Sequence, residues 1–115
     1  MQEDESRHNF KDPQGLFFND YPLAMAEPWI QKIRHQPGKE WDSVITYCGW
    51  RDVPSVYIIL EDDLAMGIEL QERCAERAGS TVVRLPTAGH MAHITRTEDI
   101  ARIIANVLDS KELND

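Results

Sequence analysis

The feature that most constrains the fold is an almost continuous apolar run in the second half of the chain. From Val56 to Leu60 every side chain is aliphatic or aromatic, which is typical of a strand buried on both faces. The β-branched segment from Thr81 to Leu85 predicts a second strand, and Glu69 to Ala78 predicts a helix between the two. A strand, a helix and a strand in succession favour parallel strands, so the predicted fold class is α/β.

The sequence also indicates which faces of the helices are buried. In the helix from Glu69 to Ala78, apolar residues recur every four positions and predict a buried face formed by Leu70, Cys74 and Ala78. Gly79 provides the stop for this helix. A last helix is predicted after Thr95, which has a capping-box spacing with Glu98. Its apolar stripe, also expected to be buried, consists of Ile100, Ile103, Ile104, Val107 and Leu108.

An acid and an imidazole follow the two predicted strands. Asp63 lies just past the end of the first strand, and His90 lies just past the end of the second. Neighbouring parallel strands are about 4.8 Å apart and end at the same edge of the sheet, where α/β folds bind ligands. We therefore expect Asp63 and His90 to come within hydrogen-bond reach, as in a catalytic pair whose carboxylate orients the base. Gly89 is expected to allow a tight backbone turn before His90.

Simpler interpretations are open for each of these residues. An Asp after a strand is often only a turn residue or a helix cap, and a His in a loop is often solvated. His90 and His93 are spaced like two metal ligands, but the sequence offers no third ligand at a suitable spacing. We therefore expect no metal and no cofactor.

Charge and composition narrow the possible partners. The 115 residues include 12 Lys and Arg and 20 Asp and Glu, which gives a net charge of −8. This negative charge disfavours binding to nucleic acids and to anionic membranes, because both carry negative phosphate groups. No apolar run approaches the ~20 residues of a membrane span, and the acidic start does not resemble a signal peptide. Cys48 and Cys74 form no CxxC or zinc pattern and indicate free thiols in a reducing compartment. Together these features predict a cytoplasmic protein.

The first half of the chain is less regular. Residues 1–15 are acidic and predict a frayed start that ends in a turn at Asp12–Gly15. Apolar residues from Leu23 to His35 have helical spacing, and Pro28 either begins a second helix or kinks the first. Four aromatic residues are expected either to line an apolar pocket or to belong to the core: Phe17, Phe18, Trp29 and Trp41.

Several stretches of the second half resemble the C-terminal end of the α/β-hydrolase fold. They are Tyr57–Asp63, Glu69–Gln71, Gly89–Ala92 and the Tyr-x-x-Trp-x-x-x-Pro segment at Tyr47–Pro54. The likeness is to the branch of small-molecule esterases that includes plant methylesterases and hydroxynitrile lyases, together with fungal and bacterial relatives.

This resemblance implies a role for two residues and a division of the chain. Asp63 matches the acid of a catalytic triad and His90 matches its base. Residues 16–50 would form the rear of a helical lid, and residues 51–115 would form the C-terminal half of the hydrolase core, after the frayed residues 1–15. The branch implies hydrolysis of small apolar esters, with secondary metabolism as the suggested setting.

The family's nucleophile has no counterpart in this sequence. It lies in a G-x-S-x-G elbow, and none of the five serines has that setting: Ser6, Ser43, Ser55, Ser80 and Ser110. The glycine-containing oxyanion loop and the earlier strands of the family are also missing, and Met66-Gly67 replaces an Ile-Pro pair. The sequence therefore predicts a partial hydrolase that is inactive alone, because neither the acyl-enzyme nor its stabilisation is available.

Alternatives to an enzyme segment are a non-catalytic binding or regulatory module, the complementing half of a split hydrolase, and a non-functional remnant. In each case one edge of the strand Val56–Leu60 is expected to be apolar and unpaired. Such an edge predicts self-association or a partner chain.

Overall fold

A computed structural model of the chain describes residues 7–8, 11–38 and 41–110. The elements in chain order are β1 (Arg7–His8), α1 (Pro13–Phe17), α2 (Leu23–Ile30), β2 (Gln36–Pro37), β3 (Val56–Leu60), α3 (Ile68–Ala78), β4 (Thr81–Leu85), α4 (Ala92–Thr95) and α5 (Thr97–Asp109). A 3₁₀ turn at Gly49–Arg51 precedes β3. Most of the segment expected to be frayed, residues 1–6 and 9–10, lies outside the described residues.

The two strands of the second half lie side by side as predicted. β3 and β4 are parallel, with Val56 opposite Thr81 and Leu60 opposite Leu85. Ile59 is almost fully buried, and Leu85 packs in a small core with Ala88 and Ala92. The parallel pair with its crossover helix confirms the α/β class, and both strands end at one edge. A separate two-residue antiparallel pair joins β1 to β2.

Helix α3 ends as predicted but buries a different face. Gly79 caps it in the left-handed conformation, with a φ of 66°. The prediction that Leu70 is buried is wrong, because this residue is 45% exposed. The buried residues are Gln71 and Ala75. The face is displaced because the amide of Gln71 bonds to the end of β3.

The capping box predicted for the last helix is also wrong. α5 begins at Thr97, and its N-cap Arg96 makes no side-chain capping bond. Thr95 ends α4 instead, and its hydroxyl donates a hydrogen bond to Asp20. The apolar stripe of α5 is only partly covered, with Ile104 51% and Leu108 66% exposed. Two strands about 4.8 Å apart are too narrow to cover the whole stripe of a helix about 10 Å wide.

The first half of the chain packs against the start of the last helical region. Phe17, Phe18 and Ala26 form a buried cluster that contacts Met91 and Ile94. The predicted turn at Asp12–Gly15 is the first turn of α1, where Asp12 accepts a hydrogen bond from the Gly15 amide. Two of the four aromatic residues are therefore core, whereas Trp29 and Trp41 are 41% and 67% exposed.

The predicted helix from Leu23 to His35 stops early. α2 ends at Ile30 and contains Pro28. The division into residues 1–15, 16–50 and 51–115 stays a prediction, and its first boundary falls inside α1. Among the described helices, none has the length and apolar character needed to cross a membrane.

Candidate active site

Asp63 and His90 lie together at the carboxyl edge of the sheet. His90 Nδ1 is 2.9 Å from Asp63 Oδ2, although 27 residues separate them in the chain. The Asp63 side chain is 4% exposed and the His90 side chain 35%. A buried carboxylate beside a partly exposed imidazole has the geometry of an orienting acid and a base that reaches a substrate.

The second oxygen of Asp63 is held by the backbone of the following turn. Oδ1 accepts hydrogen bonds from the amides of Ala65 and Met66, at 2.8 and 2.9 Å. A buried carboxylate needs such partners, since an unpaired one is costly to desolvate. These bonds fix the carboxylate so that Oδ2 faces His90. With Nδ1–H as the donor to Oδ2, the ring's Nε2 is an acceptor.

A buried glutamine braces the turn that carries Asp63. Gln71 is 2% exposed. Its Oε1 accepts from the Leu60 amide at 2.9 Å, and its Nε2 donates to the carbonyls of Leu60 and Met66 at 2.9 and 2.8 Å. Sequence reasoning did not assign this residue a role. The available signal was a polar residue four positions before the buried Ala75, on the inner face of the helix.

The loop that carries His90 is fixed to the loop that carries Asp63. The Asp62 amide donates to the carbonyl of the fully buried Ala88 at 2.9 Å. On the other side of the loop, Arg96 donates to the Pro86 carbonyl and to the Thr87 hydroxyl, both at 3.2 Å. Thr87 has a φ of 60°, an unfavourable conformation for a β-branched residue. The tight turn thus lies at Thr87.

Gly89 has a different purpose from the one expected. Its φ is not in the left-handed region, so the prediction of a glycine-dependent turn is wrong. A Cβ at this position would lie 2.5 Å from Asn19 Oδ1 and 2.8 Å from Asp20 Oδ1. The glycine is therefore required by the close approach of the Asn19–Asp20 turn. An aromatic ring from the same segment, that of Phe17, lies with its centroid 5.2 Å from the His90 ring.

The surroundings of Tyr57, on β3, disfavour the ionisation of its phenol. Burial raises the pKa of its phenol, and the neighbouring Cys74 thiol and Asp63 carboxylate raise that pKa further. The pKa of Tyr57 is therefore higher in the folded state than its usual value of 10.0. The free energy of unfolding is highest below pH 10, where the phenol is neutral in both states, and it falls as the pH rises through the folded-state pKa.

We expect a phenolate titration at 295 nm to show a component that ionises above the usual tyrosine range and that is absent from Tyr57→Phe. Tyr47→Phe is the control, since that side chain is 70% exposed. A late-ionising tyrosine that persists in Tyr57→Phe would contradict this.

The serines near the strands lie far from the pair. Ser55 and Ser80 share a hydrogen bond of 2.7 Å just before β3 and β4. Since five residues of strand extend about 16 Å, these hydroxyls lie at the amino ends of the two strands, opposite to the carboxyl ends where His90 lies. Two open clefts, of about 530 and 460 Å³, are likewise lined by other residues, such as Glu72 and Arg84 in one and Cys48 and Cys74 in the other.

Across the part of the chain that the structure describes, no three His, Cys, Asp or Glu side chains group as metal ligands.

Comparison with known proteins gives this geometry its context. A sequence model described as the alpha/beta hydrolase family matches residues 3–103. The chain belongs to the α/β hydrolase family. It is 28% identical over 93 residues to the Alpha/beta hydrolase nvfD of Aspergillus novofumigatus, a match that covers 79% of this chain and 37% of that relative. No solved structure matches the chain significantly.

Family membership confirms the predicted resemblance to the α/β-hydrolase fold, whereas the likeness to its small-molecule esterase branch stays a prediction. This α/β hydrolase chain spans little more than a third of the relative's length, 37%. Asp63 and His90 meet as the topology predicted, whereas their catalytic roles stay predictions.

Proposed function

We propose that this α/β hydrolase segment supplies the acid and base of a serine-type triad, Asp63 and His90, for the hydrolysis of a small apolar ester. The observation that supports the proposal is the 2.9 Å contact between His90 Nδ1 and the buried Asp63. In this arrangement Asp63 selects the His90 tautomer and stabilises the imidazolium that forms during the reaction.

The nucleophilic serine in this proposal comes from another part of the hydrolase or from a second chain. His90 Nε2 takes the proton of the serine hydroxyl as the serine oxygen attacks the ester carbonyl. The bond to the alcohol then breaks, and the alcohol leaves with the proton from His90. A water molecule then gives a proton to His90 as its oxygen attacks the acyl carbonyl. The bond to the serine oxygen breaks, the serine takes that proton back from His90, and the acid is released.

The setting of the reaction is part of the same proposal. A small apolar substrate is supported by the resemblance to esterases and by Phe17, which packs on the His90 ring. A cytoplasmic location is supported by the two free thiols of Cys48 and Cys74. Secondary metabolism is supported by the resemblance alone.

A hybrid enzyme tests the proposal. In this hybrid, residues 3–103 replace the matching segment of a family esterase that has a G-x-S-x-G elbow. We expect the 115-residue chain alone to hydrolyse 4-nitrophenyl acetate only at trace rates, and the hybrid to do so in a His90-dependent manner. A folded hybrid that is no faster than its His90→Ala variant would contradict the proposal. So would an isolated chain with ordinary esterase rates that His90→Ala abolishes, since it would show that no second part is needed.

The same proposal includes a covering for one edge of the sheet. β4 occupies one edge of β3. On the other edge of β3, Gln71 bonds the backbone amide and carbonyl of Leu60. Because backbone groups alternate along a strand, those of Val56 and Ile58 point to this same edge. The segment before β3 exposes a series of large apolar side chains: Trp41, Val44, Ile45, Tyr47, Trp50 and Val53. Exposed apolar side chains gathered in one segment favour an interaction site, and we assign this segment to a contact with the remainder of the hydrolase core.

The isolated chain is therefore expected to self-associate through this segment. Val44 and Ile45 are 86% and 75% exposed, so replacing both with lysine should not disturb the fold. The double variant should sediment as a smaller species than the wild-type chain at equal concentration. Because the lysines reduce the magnitude of the net charge of −8, added repulsion cannot explain such a result.

Leu23→Lys, at a 52% exposed position on α2, is the matched control and should self-associate like the wild type. Unchanged association of the double variant would contradict the assignment of this segment.

A further inference from the structure

We propose that Asp20 is a positioning residue for His90, an inference that rests on the proposed role of His90 as a base. Asp20 lies in the turn between α1 and α2, 70 residues before His90 in the sequence. Its carboxylate acts on the backbone and side chains that flank the histidine.

The Asp20 carboxylate joins two points on either side of His90. Oδ2 accepts a hydrogen bond from the Gly89 amide at 2.8 Å and another from the Thr95 hydroxyl at 2.8 Å. Gly89 directly precedes His90, and Thr95 ends the short helix α4 that follows it. Hydrogen bonds to a charged acceptor are among the stronger ones in proteins. One oxygen atom therefore closes the loop that carries the histidine.

Asn19 extends the same turn to the loop that carries Asp63. Its Nδ2 donates to the Asp62 carbonyl at 2.8 Å. Two adjacent side chains thus reach the residue before the acid and the residue before the base. Because the geometry of a proton-transfer pair must be held within a fraction of an ångström, such a bridge is suited to set the spacing of Asp63 and His90.

Two further observations separate this contact from an ordinary surface hydrogen bond. No side chain larger than that of glycine fits at position 89, since a Cβ there would lie 2.8 Å from Asp20 Oδ1. Asp20 Oδ1 is itself buried, and no hydrogen-bond partner for it occurs within the described residues. A buried polar atom without a partner costs stability. The structure thus contains this unfavourable feature at the point where the Asn19–Asp20 turn contacts the loop that carries His90.

The test uses the 115-residue chain, labelled with ¹⁵N, and observes the His90 ring directly. Ring resonances are assigned with His90→Gln. In the wild type we expect Nδ1 to carry the proton, and we expect this proton to exchange slowly with water because Asp63 accepts it. In Asp20→Ala the exchange should be faster by about tenfold or more, with a mixture of tautomers. Asp20→Asn should retain most of the wild-type behaviour, because its amide oxygen still accepts from Gly89 and Thr95.

Asp42→Ala, at an exposed position of the same half of the chain, is the matched control and should behave as the wild type. Should Asp20→Ala not fold, Thr95→Val removes one of the two bonds while the carboxylate stays, and the exchange should still be faster. Exchange and tautomer unchanged in folded Asp20→Ala, or in Thr95→Val, would overturn the inference and leave the proposed function intact. A wild-type ring whose Nδ1 carries no proton would instead count against the Asp63–His90 pair itself.

Discussion

Replacing His90 with alanine in the hybrid is expected to lower kcat for ester hydrolysis by about 10³-fold or more, because no other group then takes the proton of the serine. KM should change little, since proton transfer does not contribute to ground-state binding. His93→Ala is the matched control, since His93 is an exposed residue of α4 only three positions further along the chain. If His90→Ala folds and retains most of the activity, His90 is not the base.

Asp63→Asn should lower kcat by a comparable factor, about 10³ to 10⁴, for a reason specific to this site. The amides of Ala65 and Met66 both donate to Oδ1, so the amide oxygen of an asparagine would be held there. Its NH₂ group would face His90 Nδ1, which would have to accept. The ring proton would then lie on Nε2, and the imidazole could not take a proton from the serine. Activity within about tenfold of the wild type would exclude this role.

Gln71→Ala is expected to have the largest effect on stability. The substitution leaves the Leu60 amide and the carbonyls of Leu60 and Met66 without their partner. A buried polar group left unpaired costs about 1–3 kcal/mol. Because Leu60 and Met66 are only partly buried, the lower end of that range applies to each of the three groups, and the free energy of unfolding should fall by about 3 kcal/mol. That is a large part of the stability of an ordinary domain.

Chemical denaturation of the hybrid, followed by circular dichroism, measures this loss. Glu76→Ala, an exposed substitution on the same helix, is the control and should change the stability by less than about 0.5 kcal/mol. Gln71→Glu should be destabilising as well, because it keeps the acceptor for Leu60 but loses both donated bonds. A Gln71→Ala variant as stable as Glu76→Ala would show that the brace is dispensable.

The parts of the fold that follow local patterns could be predicted from the sequence. The bounds of β3 and β4 agree with the apolar runs at Val56–Leu60 and Thr81–Leu85, and α3 ends at Ala78 with Gly79 as its cap. The meeting of Asp63 and His90 followed from topology, because parallel strands joined by a crossover end at the same edge.

The contacts that no local pattern encodes were missed. Asp20 bonds Gly89 and Thr95, which lie 69 and 75 residues away. The Thr95–Glu98 spacing suggested a capping box, and the long-range bond from Thr95 to Asp20 took its place. Gln71 was missed for a similar reason: one buried side-chain amide that bonds a strand end has no periodicity. Side-chain bonds to distant backbone depend on the finished fold, and spacing alone does not predict them.

The central claim, that Asp63 and His90 activate a serine, is tested most directly by covalent labelling of the hybrid with a fluorophosphonate. This reagent reacts with a serine that a neighbouring base has activated, and the labelling rate reports that activation without a need for the right substrate. We predict rapid labelling of the elbow serine in the wild type and in His93→Ala, and loss of labelling in His90→Ala and in Asp63→Asn. Equal labelling rates in folded His90→Ala and wild-type hybrids would contradict the account.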